Sequence, residues 1–92
     1  MDKSIIWKYE IEISDDCVLD IPAHAEILHL GVQKNSVPCI WVKVNPYNKG
    51  VKRHFIVYGT GQSITEDEET KLLYVGTFQT DNWFVGHLFE IV

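Results

Sequence analysis

The chain of 92 residues has little of what several functional classes require. It carries eight Lys and Arg against 13 Asp and Glu, a formal net charge of −5. Binding to DNA or RNA phosphates draws on clustered cations, which this balance does not provide. No apolar run approaches the roughly 18 residues needed to cross a bilayer. The composition therefore predicts a soluble protein that neither binds nucleic acid nor spans a membrane.

Cysteine is also scarce. Cys17 and Cys39 are the only two, and they lack the C-x-x-C spacing of redox and zinc motifs. We find no signal peptide ahead of them, and disulfides are rare in reducing compartments. The two cysteines are therefore expected to be small core residues of a cytoplasmic protein.

What the chain does have is a succession of short runs rich in β-branched and aromatic residues. Hydrophobic residues make up 46% and charged residues 23%, as in a folded protein, and the length suits one domain, residues 1–92. The run from Ser4 to Ile13 alternates between apolar and polar residues from Trp7 onward, the period of a half-buried strand. Six further runs, bounded by turn residues, cover 17–21, 26–33, 37–45, 52–58, 71–77 and 83–92.

These runs predict an all-β fold, a small antiparallel meander of six to seven strands closed as a barrel or a sandwich. The short break between 26–33 and 37–45 predicts a hairpin. The acidic run 66–69 is expected to be a solvated loop. The expected core residues are Trp7, Tyr9, Leu28, Leu30, Ile40, Val42, Val57, Leu73 and Phe89.

A near-duplicated motif, G-T-x-Q-[ST], occurs at 59–63 and again at 76–80. Each copy ends an apolar run, so two adjacent strands are expected to finish in the same chemistry. Glycine lets a ligand approach the backbone closely, and N–H groups with a Thr hydroxyl form an anion-binding concavity. The guanidinium of Arg53 has the geometry to pair with a phosphate. The predicted ligand-binding residues are Arg53, Gly59, Thr60, Gln62, Gly76, Thr77 and Gln79.

The same motif has a second interpretation without a ligand. Both glycines would form tight turns, and the threonines would only pair across strands. Short glycine-containing matches arise often by chance, which favours this interpretation. Aromatic residues are candidates for stacking on a base, but a small β domain is expected to place most of them in its core. The candidates are Trp7, Trp41, Tyr58, Tyr74, Trp83 and Phe84, while Tyr47 is expected to be exposed.

The evidence for catalysis is weaker than the evidence for binding. The histidines lack partners at metal-ligand spacing, so neither a metal nor a cofactor is predicted. His87, in the most apolar run, is expected to be a hydrogen-bonded core residue. Cys39 and Ser63 are candidate nucleophiles, but no local signature pairs either with a base. The sequence therefore favours a binding protein over an enzyme.

Several motifs spread over nearly the whole chain resemble a known family. They are IWKY at 6–9, IP at 21–22, AEIL at 25–28, PCIW at 38–41, VNP at 44–46, YGTG at 58–61, YVGTFQ at 74–79 and HLFE at 87–90. The pattern is similar to a β-rich domain of unknown function found in phages and bacteria, which has no established catalytic residues. The resemblance implies a phage accessory protein, a class that often antagonises host defence.

The hypothesis that combines these observations is a non-enzymatic protein that antagonises host antiviral defence. It would sequester a cyclic or ADP-ribose-derived nucleotide at the interface of a homo-oligomer, since the run 83–92 is apolar on both faces and one small domain can scarcely cover it. Two alternatives stay open. One is direct inhibition of a host defence protein. The other is a small nucleotide hydrolase with a base such as His54 or His87 near the glycine–threonine segments.

Overall fold

Two antiparallel sheets, packed face to face, form the fold in a computed structural model that describes residues 3–34, 36–65 and 70–92. These residues contain seven strands and no helix, and so no helix that could cross a membrane. The predicted all-β fold is confirmed as an open sandwich rather than a closed barrel. The strands are β1 Ile5–Glu10, β2 Cys17–Pro22, β3 Glu26–Val32, β4 Pro38–Val44, β5 Gly50–Gly59, β6 Leu72–Gln79 and β7 Val85–Ile91.

The strand order sets the position of the duplicated motif. One sheet has the order β1-β4-β3 and the other the order β2-β5-β7-β6. The predicted β3–β4 hairpin is confirmed. The prediction that the two duplicated strands are adjacent is wrong, because β7 lies between β5 and β6. Since β7 is antiparallel to both neighbours, β5 and β6 run parallel to each other.

The core lies between the two sheets. Its fully buried side chains include Phe55, Ile21 and Leu88, together with the predicted core residues Ile40 and Val42. Val57 is also buried as predicted, while Tyr9 and Leu30 pack at the margin of the core. Cys17 and Cys39 are buried free thiols, which confirms their interpretation as small core residues.

Three predicted core residues are exposed instead: Trp7, Leu28 and Leu73. Trp7 belongs to β1, an edge strand of the smaller sheet. Leu28 lies at a register irregularity in β3, and Leu73 lies on the edge strand β6 close to a second irregularity, between Tyr74 and Gly76. A bulge interrupts the alternation of side chains between faces, so the two-residue period fails there.

Three of the six aromatic candidates are exposed. Tyr58 is buried, and Trp41 and Phe84 are half-buried, but Trp7, Tyr74 and Trp83 are exposed. Tyr47 is 79% exposed, as predicted. The interior of the sandwich is therefore filled mainly by aliphatic residues with Phe55 and Phe78, and several large rings remain on the surface.

The connection from β5 to β6 joins two parallel strands, which a tight turn cannot do. Its described beginning, residues 60–65, follows the end of β5, and Ile64 contributes to a pocket with Tyr58 and Tyr74 of the sheet. The acidic run 66–69, predicted as a solvated loop, lies outside the described residues.

Candidate functional site: an aromatic pocket with a threonine–histidine edge

The topology brings both glycine–threonine motifs to one histidine. Because β5 and β6 flank β7 in parallel, Gly59 pairs with Gly86 on one side and Thr77 pairs with His87 on the other. The Thr60 hydroxyl lies 2.8 Å from His87 Nε2, and the Thr77 hydroxyl lies 2.9 Å from His87 Nδ1. One imidazole therefore hydrogen-bonds both duplicated threonines.

The hydrogen-bonded chain extends to a tyrosine. The Tyr74 hydroxyl lies 2.5 Å from the Thr77 hydroxyl. The tautomer of His87 determines which threonine hydroxyl donates and which accepts. Thr60, Thr77 and Tyr74 are exposed, which leaves their remaining hydrogen-bonding capacity open to a ligand.

His87 is hydrogen-bonded as predicted, but it is half-buried on the outer face of the sheet rather than in the core. Gly86 and Leu88, its neighbours along β7, are buried on the inner face, and successive side chains of a strand alternate between faces. Phe89 shares the outer face with His87 for the same reason.

Beside these hydrogen-bonded side chains lies a surface pocket of about 240 Å³, which we call the aromatic pocket. Tyr58 and Phe89 contact edge to face, with ring centroids 5.9 Å apart, and Tyr74 lies 5.5 Å from Phe89. Tyr58 is 6% exposed and Tyr74 is 61% exposed, so the pocket descends from an open edge to a buried base. Its lining residues are Tyr58, Gly59, Thr60, Gly61, Gln62, Ile64, Tyr74, His87 and Phe89.

The first motif copy forms a turn at the edge of the aromatic pocket. The Gln62 N–H donates to the Gly59 carbonyl over 3.0 Å, and the Gly59 N–H donates to the Gln62 side-chain oxygen over 2.9 Å. Gly61 has a φ of +89°, a conformation that L side chains rarely adopt. The role of Gln62 is thus to close the turn that places Thr60.

The second copy does not lie at a strand exit, contrary to the prediction. Gly76 and Thr77 lie inside β6, which ends at Gln79. A Cβ atom on Gly76 would stand 3.1 Å from Leu30 Cδ2, so this glycine serves the contact between the two sheets. Gln79 is exposed and does not line the aromatic pocket.

Arg53 is not brought to the aromatic pocket. It is seven residues before Thr60 along β5, roughly 23 Å at ~3.3 Å per residue. Its guanidinium donates to both Glu90 oxygens, over 2.6 and 2.7 Å, and to the Ala25 carbonyl over 3.0 Å. The hydrogen bonds to Glu90 raise the pKa of Arg53, although burial opposes the shift. Of the predicted ligand-binding residues, Gly59, Thr60, Gln62 and Thr77 lie around His87 and the aromatic pocket. Arg53 does not.

Sequence reasoning missed His87 as the residue that joins the two motifs, and it missed Phe89 and Ile64 as lining residues. The alternation of His87 and Phe89 in HLFE places both on one face, but the pairing of β7 with both duplicated strands has no local signal. The described lining residues carry aromatic, aliphatic, hydroxyl, amide and imidazole groups, and none of them is a Lys or Arg. Within the described ranges, no three His, Cys, Asp or Glu side chains are grouped for a metal ion.

The fold and the site define a small two-sheet β domain with a pocket on the outer face of its larger sheet. Residues 2–92 match the family described as Domain of unknown function (DUF7352), and the chain belongs to that family. No curated protein and no solved structure matches the chain.

Proposed function

We propose that this protein acts by binding rather than by catalysis, and that the aromatic pocket holds the base of a nucleotide. The observation that carries the proposal is the hydrogen bonding of His87 to both Thr60 and Thr77 beside the Tyr58–Phe89 pair. Stacking of a base on an aromatic side chain contributes about 1–3 kcal/mol. The threonine and tyrosine hydroxyls supply donors and acceptors for the polar edge of such a base.

The size and charge of the aromatic pocket favour the base over the phosphates. Sites for whole drug-sized ligands span about 300–1,000 Å³, and the volume here is about 240 Å³. Among the described residues that line the aromatic pocket, none is a Lys or Arg that could pair with a phosphate. The phosphates of a bound nucleotide would extend past Tyr74, which is 61% exposed, toward solvent or a second copy of the chain.

The biological role that we propose is the one the sequence resemblance implies. An accessory protein of phage origin would sequester a cyclic or ADP-ribose-derived nucleotide and so withhold this signal from a host defence system. Sequestration needs only tight binding. The exposed hydroxyls and open edge of the aromatic pocket support this role, and oligomerisation would cover the edge.

A small nucleotide hydrolase is the second candidate, because His87 contacts two hydroxyl groups at distances suited to a base and a nucleophile. Both imidazole nitrogens are taken by threonines, however, so no carboxylate orients His87 as in a catalytic triad. Direct inhibition of a host protein is a third candidate, since Ile64 and Tyr74 expose apolar surface around the pocket. Binding of a nucleotide accounts for the polar edge as well as the apolar surface.

One experiment separates the three candidates. The protein is incubated with a panel of cyclic dinucleotides and ADP-ribose derivatives, separated from free ligand, heat-denatured and analysed by chromatography. We expect the nucleotide to be recovered intact. Recovery of products would establish the hydrolase, and no uptake from the panel would favour a protein inhibitor.

The site is tested by replacing Thr60 and Thr77 together with valine. Each hydrogen bond lost to the nucleotide is worth about 0.5–1.5 kcal/mol, so nucleotide affinity is expected to fall roughly tenfold or more. Loss of the bonds to His87 should also lower the free energy of unfolding, by no more than about 1–3 kcal/mol. Thr65→Val is the matched control, because Thr65 is exposed and does not line the aromatic pocket. A fall in stability with unchanged affinity would mean that the hydroxyls only join strands.

A further inference from the structure

Trp83 has an unfavourable position on two counts. Its side chain is 82% exposed, and its φ is +70° in the turn between β6 and β7. The left-handed region is unfavourable for a bulky side chain, and residues held there concentrate at functional sites. An exposed indole also leaves a large apolar surface in water. The strained backbone and the exposed indole occur at the same residue. This combination suggests that Trp83 contacts a partner rather than stabilising the fold.

The turn that carries Trp83 is firmly held. The Thr80 N–H donates to the Phe84 carbonyl over 2.9 Å, and the Trp83 N–H donates to the Thr80 carbonyl over 3.1 Å. The Asp81 N–H donates to the Ser36 hydroxyl over 3.0 Å, which ties the turn to the β3–β4 connection. The backbone at Trp83 is therefore fixed before a partner binds. Binding would cost little conformational entropy for ordering this turn.

A concavity of about 270 Å³ lies in the same turn region, where the β1–β2, β3–β4 and β6–β7 connections meet. We call it the end pocket. It is lined by Ile13, Ser36, Thr80, Asn82 and Phe84, and shares none of these residues with the aromatic pocket. Trp83 stands in the chain between Asn82 and Phe84, two residues that line the end pocket. Exposed tryptophans close to apolar concavities are typical of the energetic centres of protein interfaces.

The charge around Trp83 indicates the chemistry of its partner. Asp81, two positions before Trp83, is exposed, and no ion pair involves it within the part of the chain that the structure describes. The face of an indole is the best aromatic surface for a cation, and arginine can stack on it while pairing with a carboxylate. An acidic residue beside an exposed indole therefore suits a guanidinium.

We propose that this end of the sandwich docks a protein segment that carries an arginine close to an aliphatic residue. The guanidinium stacks on Trp83 and pairs with Asp81, and the aliphatic side chain enters the end pocket. A second copy of this chain does not supply the arginine, because its single arginine, Arg53, is held by Glu90. The net charge of −5 likewise favours a basic partner over a second copy.

The test uses the intact protein and a library of random peptides. We expect the peptides enriched on the wild type to contain arginine within a few positions of leucine, isoleucine or valine. Their affinity should fall roughly tenfold or more for Trp83→Gly and for Asp81→Asn. Tyr47→Gly is the matched control, because Tyr47 is another exposed loop aromatic, and it should leave peptide affinity unchanged.

Trp83→Gly also separates binding from folding. Glycine adopts a positive φ without steric cost, so this variant should melt at or above the temperature of the wild type while losing the peptides. The proposal is overturned if no peptide is enriched, if enriched peptides show no preference for arginine, or if they bind Trp83→Gly as well as the wild type. It is also overturned if the wild type self-associates and Trp83→Gly does not, which would assign this surface to a second copy.

Discussion

The Arg53 guanidinium donates two parallel hydrogen bonds to the Glu90 carboxylate, from Nε to Oε2 over 2.6 Å and from Nη2 to Oε1 over 2.7 Å. Their side chains are only 20% and 11% exposed. A third bond, from Nη1 to the Ala25 carbonyl, connects the pair to the segment that enters the other sheet. Removal of one partner from such a buried pair leaves an uncompensated charge, which is more costly than replacement of both.

The first prediction follows from this pair. Glu90→Leu should lower the free energy of unfolding by about 3–5 kcal/mol, and the double variant with Arg53→Met should lower it by less. Arg53→Lys should cost about 1–3 kcal/mol, because an ammonium group does not reproduce the planar two-bond geometry. Urea unfolding measures all three.

Lys52→Met is the control for this prediction, since Lys52 pairs with Asp20 at 3.7 Å through largely exposed side chains. Its effect should stay within about 1 kcal/mol. We also expect Arg53→Lys to bind nucleotide as the wild type does. A loss of affinity at unchanged stability would return Arg53 to the ligand site.

The second prediction concerns Gly86. A Cβ atom there would lie 2.5 Å from Phe78 Cζ and 2.9 Å from Phe84 Cε2. Gly86→Ala should therefore force the two rings apart and lower the free energy of unfolding by about 1–3 kcal/mol. At Gly50 the nearest atom would be Asp20 Oδ1 at 3.4 Å, an ordinary contact. Thermal unfolding that shows equal losses for Gly86→Ala and Gly50→Ala would contradict the packing argument.

The third prediction concerns alkaline pH. Burial raises the pKa of the Cys39 thiol, with a further increase from Glu10 and a decrease from Lys8. A pKa that is higher in the folded state favours folding fully below the unfolded value, near pH 8.5, and this contribution is lost as the pH rises toward the folded value. Stability should therefore begin to fall above about pH 8.5.

Urea midpoints between about pH 7.5 and 9.5 measure this effect below the range in which tyrosines titrate. Burial also raises the pKa of Tyr9, which keeps that residue protonated across the window. Cys39→Ala should flatten the pH dependence even if it lowers stability overall. A slope unaffected by Cys39→Ala would assign the alkaline loss to another group.

The fourth prediction is the assembly state. Light scattering at tens of micromolar should give two or four times the 10.6 kDa mass of the chain, because association would cover the apolar outer face of the larger sheet. Tyr74→Lys should shift the mass toward the monomer by placing a charge on that face. Tyr47→Lys, at another exposed ring away from the aromatic pocket, should not. A monomeric wild type contradicts the prediction.

The strands could be predicted well because a strand or a hairpin turn is encoded in a short stretch of neighbouring residues. Alternation located β1, and the break at 34–36 predicted the β3–β4 hairpin. The pairings of β5 with β2 and β7 join distant segments, and no short window of sequence contains them. The bulges near Leu28 and Val75 interrupt the pairing of β3 with β4 and of β6 with β7. The two-residue period does not announce them, so the residues beside them were assigned to the core in error.

The candidate site was predicted in part for the same reason. Duplication drew attention to Thr60 and Thr77, whose shared chemistry is visible in the sequence. His87 joins them only because β7 separates the two duplicated strands, which is a property of the topology. The positive φ at Trp83 could not be predicted from the sequence, because glycine and asparagine are the residues that indicate this conformation and position 83 is neither.

The place of β7 between β5 and β6 has a consequence for the order of folding. β7 follows both neighbours in the chain, so these two strands have no native partner on their facing edges until all the other strands have been made. Pairing between distant segments closes long loops and is slow. His87 lies on β7, so the aromatic pocket forms only when β7 pairs with β5 and β6. If the aromatic pocket binds a nucleotide as proposed, that ligand should therefore slow the unfolding of this protein without accelerating its refolding.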